Sequence, residues 1–339
     1  MFGRIVAALL AAIPLVAMAQ TYPTKPVRVV VPYPAGSTPD IIGRTLAERL
    51  QKAFGQPFVV ENRSGVGGSI GAEAVAKAAP DGHTLLIGGN GPVAINKHLY
   101  KSLSYDPDRE LAPISLLAVA PQMLVARAEL KLEDFRAFVE HARRNPGRLS
   151  YASVGGGSAS HLTMELLKSD ARIGLVHVPY RGFPSAVTDL LAGNIDAMFA
   201  IIPAVLPHVR AGKMRGLAVT ASQRSPLAPE VPSVAELGIP GLESLAWNGL
   251  LASAGTPEPT IARLNAETVR GMRSPETMEA LGRLGFEVAA GSPAEFSRWI
   301  RAESEKWAAV IRASGATADK TSKSASGRTR SRVFSVENR

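Results

Sequence analysis

Val27-Arg28-Val29-Val30-Val31-Pro32-Tyr33-Pro34-Ala35-Gly36-Ser37-Thr38-Pro39-Asp40-Ile41-Ile42 is the stretch that decides the fold class. The β-branched run 27–31 reads as a buried strand. Pro32 to Ser37 is a rigid turn. Thr38 then serves as N-cap and Pro39 opens a helix that places Ile42, Leu46 and Leu50 on one face. Outward from there, 57–61 reads as a second strand, 64–69 as a glycine-rich turn, 70–79 as a small-residue helix and 84–88 as a third strand. Alternation of strand, helix and strand predicts an α/β protein: a parallel sheet with helices on both faces.

A second set repeats the design. It predicts strands at 122–126, 149–153, 176–179, 195–200 and 217–220, with helices at 132–145, 158–169, 184–192 and 205–211 between them. The two sets look like two similar halves. Residues 222–232 are rich in Pro and Ser and read as a crossing segment. The remainder, 250–316, reads as mostly helical.

Composition narrows the classes. A chain of 339 residues suggests about two domains, and 46% hydrophobic with 20% charged residues marks it as globular. The absence of cysteine excludes disulfides, thiolate nucleophiles, zinc–thiolate sites and iron–sulfur clusters. Aromatic residues make up only 6%, too few for a nucleic-acid stacking platform. The net charge is +9, but the segment 318–339 alone carries +4 and Arg4 another +1. Charge at the ends is not a basic folded face, so no nucleic-acid partner is expected. The tail reads as a solvated, disordered end.

Residues 1–19 read as a secretory signal peptide, with Arg4 in the n-region, an apolar run 5–16, and Ala17-Met18-Ala19 as the cleavage site. That run is shorter than the roughly 20 residues of a membrane span. The mature chain is therefore expected in the periplasm, starting at Gln20.

Two turns carry the best candidate chemistry. Each ends a strand, turns on small residues, presents a hydroxyl and starts a helix. They are Pro34-Ala35-Gly36-Ser37-Thr38 and Ser153-Val154-Gly155-Gly156-Gly157-Ser158. Small residues let backbone N–H groups approach a ligand, and a helix N-terminus adds free donors and about half a positive charge. Such turns lie at the carboxyl ends of strands, where open α/β sheets bind ligands. Facing each other, they would clamp a carboxylate without lysine or arginine; taken singly, each is also an ordinary helix cap. Asp40 fits dipole stabilisation of a first turn or capture of an amino group. Ser158 and His161, three apart, suggest a nucleophile and base, but no orienting acid or G-x-S-x-G elbow accompanies them, and His161 fits a hydrogen-bonded packing role. Gly65-Val66-Gly67-Gly68-Ser69-Ile70 lacks the third glycine of a dinucleotide fingerprint. The histidines show no metal-ligand spacing, and neither a metal nor another cofactor is expected.

The chain resembles the solute-binding component of the tripartite tricarboxylate transporters, the Bug-type extracytoplasmic receptors. The resemblance rests on Val31-Pro32-Tyr33-Pro34-Ala35-Gly36…Asp40, Val59-Val60-Glu61-Asn62-Arg63, Pro80-Asp81-Gly82-His83-Thr84, Ser153…Gly155…Gly157-Ser158…His161-Leu162, His177-Val178-Pro179-Tyr180-Arg181-Gly182, and Ala254-Gly255-Thr256-Pro257. It implies a type II periplasmic binding-protein fold of two lobes with mixed or parallel sheets flanked by helices. Lobe one would be 21–121 plus 229–317, with the late helices packed on it, and lobe two 122–228. It also implies a small carboxylate ligand (a di- or tricarboxylate, an amino acid or an aromatic acid), a membrane permease as partner, a monomer, and no catalysis. Carried over by position, Ala35, Gly36, Ser37 and Thr38 form one jaw, and Asp40 is counted with them among the candidate ligand-binding residues. Ser153, Gly157, Ser158 and His161 form the other, and Asn90, Pro184 and Ser185 are wall positions. The family's usual Pro-Gly-Gly reads Ala35-Gly36-Ser37 here. The competing readings are a receptor for a membrane sensor and an exported hydrolase built on Ser158 and His161.

Overall fold

The computed structural model describes residues 22–180 and 182–317. The expected leader with its cleavage after Ala19, Arg181, and the basic tail 318–339 lie outside the described residues. In chain order the elements are β1 (Val27–Val31), α1 (Thr38–Phe54), β2 (Phe58–Asn62), α2 (Ser69–Ala76) and β3 (Thr84–Gly89). A π-helical turn (Asn90–Ile95), α3 (Asn96–Leu99), α4 (Pro107–Glu110) and β4 (Leu111–Arg127) follow. The second half contains α5 (Phe135–Arg144), β5 (Leu149–Ser153), α6 (Ala159–Ala171), β6 (Leu175–Pro179), α7 (Phe183–Leu191), β7 (Ala197–Ile201), α8 (Ile202–Arg210) and β8 (Met214–Val219). The chain closes with β9 (Leu245–Ser253), α9 (Glu258–Met272), α10 (Pro275–Arg283), β10 (Glu287–Val288) and α11 (Pro293–Ser314).

Two sheets share the long strand β4. In the first, the order is β2-β1-β3-β9-β4, with β10 on β4's far side; in the second it is β6-β5-β7-β4-β8. The halves match element by element. Strand β1 lies parallel between β2 and β3, as β5 lies parallel between β6 and β7. An antiparallel strand then follows β3 (β9) and β7 (β4). Helix α1 is fixed by its periodicity: Ile42, Leu46 and Leu50 are fully buried against β1 and its neighbours, each contributing about 1.5–3 kcal/mol. Gly55, at φ +69°, ends it in the left-handed conformation that a side chain resists.

Strand β4 is longer than the sequence predicts, and the second half of β9 falls in the region 250–316 expected to be mostly helical. Prolines explain the first miss. Pro113 and Pro121 argue against a central strand, yet Pro113 sits beside a register shift and Pro121 ends the pairing with β9, where β4 passes from one sheet to the other. Small and β-forming residues inside β9 admit either state until its two neighbours are known.

The crossings between lobes are Pro121–Gln122 in β4 and Ser244–Leu245 before β9. The return therefore comes later than residue 229. Val231 and Val234 pack in the second lobe, and Ser233 bridges to Val219. Buried bonds join the crossings: Gln122 N–H donates to Thr220 Oγ1 (2.8 Å), Thr220 Oγ1 donates to Ser244 O (2.6 Å), and Gln122 Nε2 donates to Thr163 Oγ1 (3.1 Å). Helix α11 corrects the expectation that all late helices pack on lobe one. Phe296 and Ile300 join the first lobe's core beside Trp247, whereas Trp307, Val310 and Ile311 join the second lobe's core beside Leu162 and Leu242. Between these halves, Glu303 accepts bonds from Trp247 Nε1 and Trp307 Nε1, both 3.0 Å.

Candidate functional site

The turns after β1 and β5 have nearly the same backbone. Ser37 (φ −70°, ψ 159°) caps α1 and Ser158 (φ −71°, ψ 159°) caps α6, so the first cap lies one residue before the expected Thr38. Ser37 N–H donates to Pro34 O and Ser158 N–H to Gly155 O, both at 3.2 Å. The residue before each cap is a glycine with positive φ, +76° at Gly36 and +78° at Gly157. Each glycine N–H is held by the side chain four residues on: Gly36 by Asp40 Oδ2 (2.9 Å), Gly157 by His161 Nδ1 (3.2 Å). Asp40 and His161 therefore do the same job in the two halves.

Their surroundings differ. Asp40, 2% exposed, also accepts from Arg44 Nε (3.0 Å) and Asn62 Nδ2 (2.8 Å). Burial pushes its carboxyl upward, but the bonds from Arg44, Gly36 and Asn62 win and hold it below the ordinary value. His161, 3% exposed, stacks on His177 at 4.2 Å between ring centroids, and His177 stacks on Tyr151 at 4.8 Å. His177 Nε2 lies 2.6 Å from Ser153 Oγ. Burial, then the Lys168 charge, lowers His161 to about 3. Burial, then neighbouring His161, lowers His177 to about 3, against the opposing pull of Glu165.

These bonds determine which donors remain. In the first turn of any helix the leading N–H groups have no intrahelical acceptor. At α1 the amides of Thr38 and Asp40, with Ala35 just outside, have no backbone partner among the described residues; at α6 the same holds for Gly156, Ala159 and Ser160. Ser37 Oγ is buried and unpartnered. Ser158 Oγ is not: it donates to Gly155 O (2.7 Å) and accepts from His161 N–H (3.3 Å).

The lobes meet on glycine. A β-carbon built on Gly157 would lie 2.5 Å from Asn96 Oδ1 of the first lobe, and one on Gly67 would lie 2.8 Å from Gly156 O of the second. Asn96 is 1% exposed; its Nδ2 donates to Gly67 O (3.0 Å) and Ser69 Oγ (2.8 Å), while its Oδ1 has no partner. The 65–68 turn, which sequence reading set aside as a failed dinucleotide fingerprint, is thus part of the seam. Asn96 gave no signal in the sequence, because its role depends on a contact with the other lobe.

Not every expected residue can reach a ligand with its polar atoms. Asn90 is buried and spent on Leu245 O (3.0 Å), Glu303 and Trp247 N–H (3.0 Å). Pro184 and Ser185 open α7 and are exposed, with Ser185 Oγ donating to Gly182 O at 3.3 Å. A groove of 1260 Å³ is lined by α5, the α8–β8 turn and residues 230–242; neither candidate turn lines it.

Comparison with known proteins decides the family. The family model described as "Tripartite tricarboxylate transporter family receptor" matches residues 42–316. The chain belongs to this family. Protein BugT of Bordetella pertussis is 37% identical over 299 residues, covering 88% of this chain and 92% of that protein. Among solved structures, Rpa4515 of R. palustris with adipate aligns with TM-score 0.80 at 34% identity, over 87% of this chain and 99% of that one. MatC from Rhodopseudomonas palustris with bound malate aligns with TM-score 0.79 at 34% identity, over 86% and 100%.

The chain is accordingly a periplasmic-type solute-binding receptor and not an enzyme. Ser158 Oγ meets the backbone of His161, not its imidazole, and His161 Nδ1 is engaged by Gly157 N–H. No nucleophile–base pair exists at these residues.

Proposed function

We propose that this receptor captures a small carboxylate between the turns 34–38 and 153–158 and delivers it to the membrane permease of a tripartite uptake system. It does so in the periplasm, as a monomer, after removal of the leader at Ala19. The observation that supports the reading is the matched pair of cap turns, one in each half, each with first-turn amides free of backbone partners. The ligand class is supported by the adipate and malate of the two aligned structures.

The chemistry is capture without bond making. A carboxylate entering the crevice exchanges water for N–H donors. Donors from the first lobe are Ala35, Thr38 and Asp40 amides with the Ser37 hydroxyl; those from the second are Gly156, Ala159 and Ser160 amides. Each charge-assisted bond adds about 1.5–3 kcal/mol, and each helix N-terminus about 0.3–1 kcal/mol or more when partly buried. Because the donors come from both lobes, the ligand favours the closed state by its differential contacts. Asp40, Asn90, Ser158 and His161 act behind this surface by holding backbone.

Titration calorimetry of the mature chain with adipate and L-malate tests the reading. Binding of at least one, weakened tenfold or more by Gly157→Ala ("about 1.4 kcal/mol" per tenfold), is expected. Full affinity in a variant whose seam is blocked at Gly157 overturns the placement of the site.

A further inference from the structure

Behind the second turn lies a cluster of which the capture chemistry uses only His161: buried Tyr151 on β5, His161 and Glu165 on α6, and half-buried Lys168 on α6 and His177 on β6. We propose that His177, together with His161, is a positioning residue that shapes the Ser153–Ser158 turn for its anionic ligand without touching that ligand. The inference rests on the carboxylate reading and adds residues to it.

The geometry is specific. His177 Nε2 meets Ser153 Oγ at 2.6 Å. The same hydroxyl meets Gly155 N–H at 3.1 Å and Gly155 O at 3.2 Å. One side chain atom of the β6 strand therefore fixes the start of the turn. His161 fixes its end through Gly157 N–H. The rings are stacked 19° from parallel, so neither bond can shift without moving the other ring. His177 Nδ1 is buried with no partner. An orphan lone pair costs less here than the buried, unpaired Nδ1–H of the alternative tautomer, which would also turn Ser153 Oγ into the donor to Nε2 and remove its bond to Gly155 O. The assigned state is Nε2–H donating to Ser153. For His161, acceptance from Gly157 N–H likewise places the proton on Nε2.

Neutrality is part of the device. A protonated His161 could not accept from Gly157. The groups facing the pair are Tyr151, whose hydroxyl donates to Glu165 Oε1 at 2.5 Å, and Lys168, whose Nζ meets the same oxygen at 2.6 Å. Glu165 thus turns toward Tyr151 and Lys168. No acidic residue lies in the first turn of α6, in contrast to Asp40 in α1. The second turn therefore rests on neutral rings, with the Glu165–Lys168 ion pair on the far side of Tyr151.

Two variants separate the bond from the stack. His177→Phe keeps an aromatic ring and removes the donor; His177→Gln keeps an Nε2 donor and removes the ring. The first readout uses the ligand-free protein: 1H–15N spectra of the imidazoles and of the Gly155 and Gly157 amides. The expected result is two neutral Nε2–H imidazoles that do not titrate down to about pH 5, and Gly155 and Gly157 amide resonances displaced in His177→Phe and restored in His177→Gln. The second readout is calorimetry with adipate and L-malate, with affinity reduced about tenfold or more in His177→Phe and within about threefold of native in His177→Gln, at unchanged melting temperature in the latter. The proposal is overturned if either imidazole titrates near its ordinary value of about 6.5, or if the glycine amides of His177→Phe stay at native positions. It is equally overturned if His177→Phe binds as tightly as the native chain. Should the native chain bind neither acid, the carboxylate reading falls, while the ligand-free spectra still decide the positioning role.

Discussion

The turns after β1 and β5 share a backbone and a glycine-locking device, yet one rests on a charged network and the other on stacked neutral rings. Asp40 binds Gly36, Arg44 and Asn62; His161 binds Gly157 and stacks on His177. Their caps differ as well. Ser158 Oγ spends itself on its own turn, whereas Ser37 Oγ is left buried without a partner. Backbone shape is thus a property of the turn type, while what lies beneath decides how the turn titrates and what it leaves for a ligand.

The sharpest way to break the comparison is to place the same methyl on each glycine. Gly36→Ala meets nothing within 4 Å, so it should cost only the left-handed backbone strain, about 1–2 kcal/mol. Gly157→Ala adds a collision with Asn96, and a total of about 2–5 kcal/mol against the closed form is expected. Urea denaturation and calorimetry on both variants check this; equal effects would mean that the seam does not constrain Gly157.

Removing the charge below the first turn comes next. Asp40→Ala should destabilise by about 2–3 kcal/mol, because Gly36, Arg44 and Asn62 lose one shared acceptor and Arg44 is half exposed, which screens part of the loss. Denaturant midpoints measure it.

Acid then distinguishes the two floors. Asp40 titrates below its ordinary value in the folded state, so its stabilisation is complete above about pH 4 and fades as pH falls through its folded value. His161 and His177 drop from 6.5 to about 3, so unfolding takes up protons between those values. Stability should therefore decline from about pH 6.5 downward, well before Asp40 contributes. Replacing His177 by Gln should flatten that upper arm and leave the lower one, as stability measured at a series of pH values would reveal. An unchanged upper arm would argue that His177 is not buried neutral.

The caps give the smallest effects. Ser158→Ala should lose about 1 kcal/mol of stability, the usual worth of an N-cap. Ser37→Ala, with no cap bond to lose, should stay within about 0.5 kcal/mol of native stability while weakening adipate or malate binding. Thermal melts paired with calorimetry separate the two; a stability loss at Ser37 matching that at Ser158 would remove the asymmetry.

Much of this was legible in residue order. The strand–turn–helix units at 27–54 and 149–171 announce themselves through β-branched runs, Pro39, the turn glycines and helical spacing. The two turns were legible as helix starts, since small residues before a helix are a local signal. The side-chain partners of Asn90 and Asp40 were not legible, because Glu303 and Asn62 are 213 and 22 residues away in the chain. The first half of β4, all of β9 and the divided packing of α11 were missed for the same reason.

The sequence by itself determined the two α/β halves, the two cap turns and the family, because turn chemistry and hydrophobic period act over a few residues. Only the tertiary structure decided that Gly157 must clear Asn96, that His177 underpins Ser153, and which amides stay free. Those outcomes depend on atoms brought together from distant segments, and close packing and hydrogen-bond competition are settled only when the segments meet.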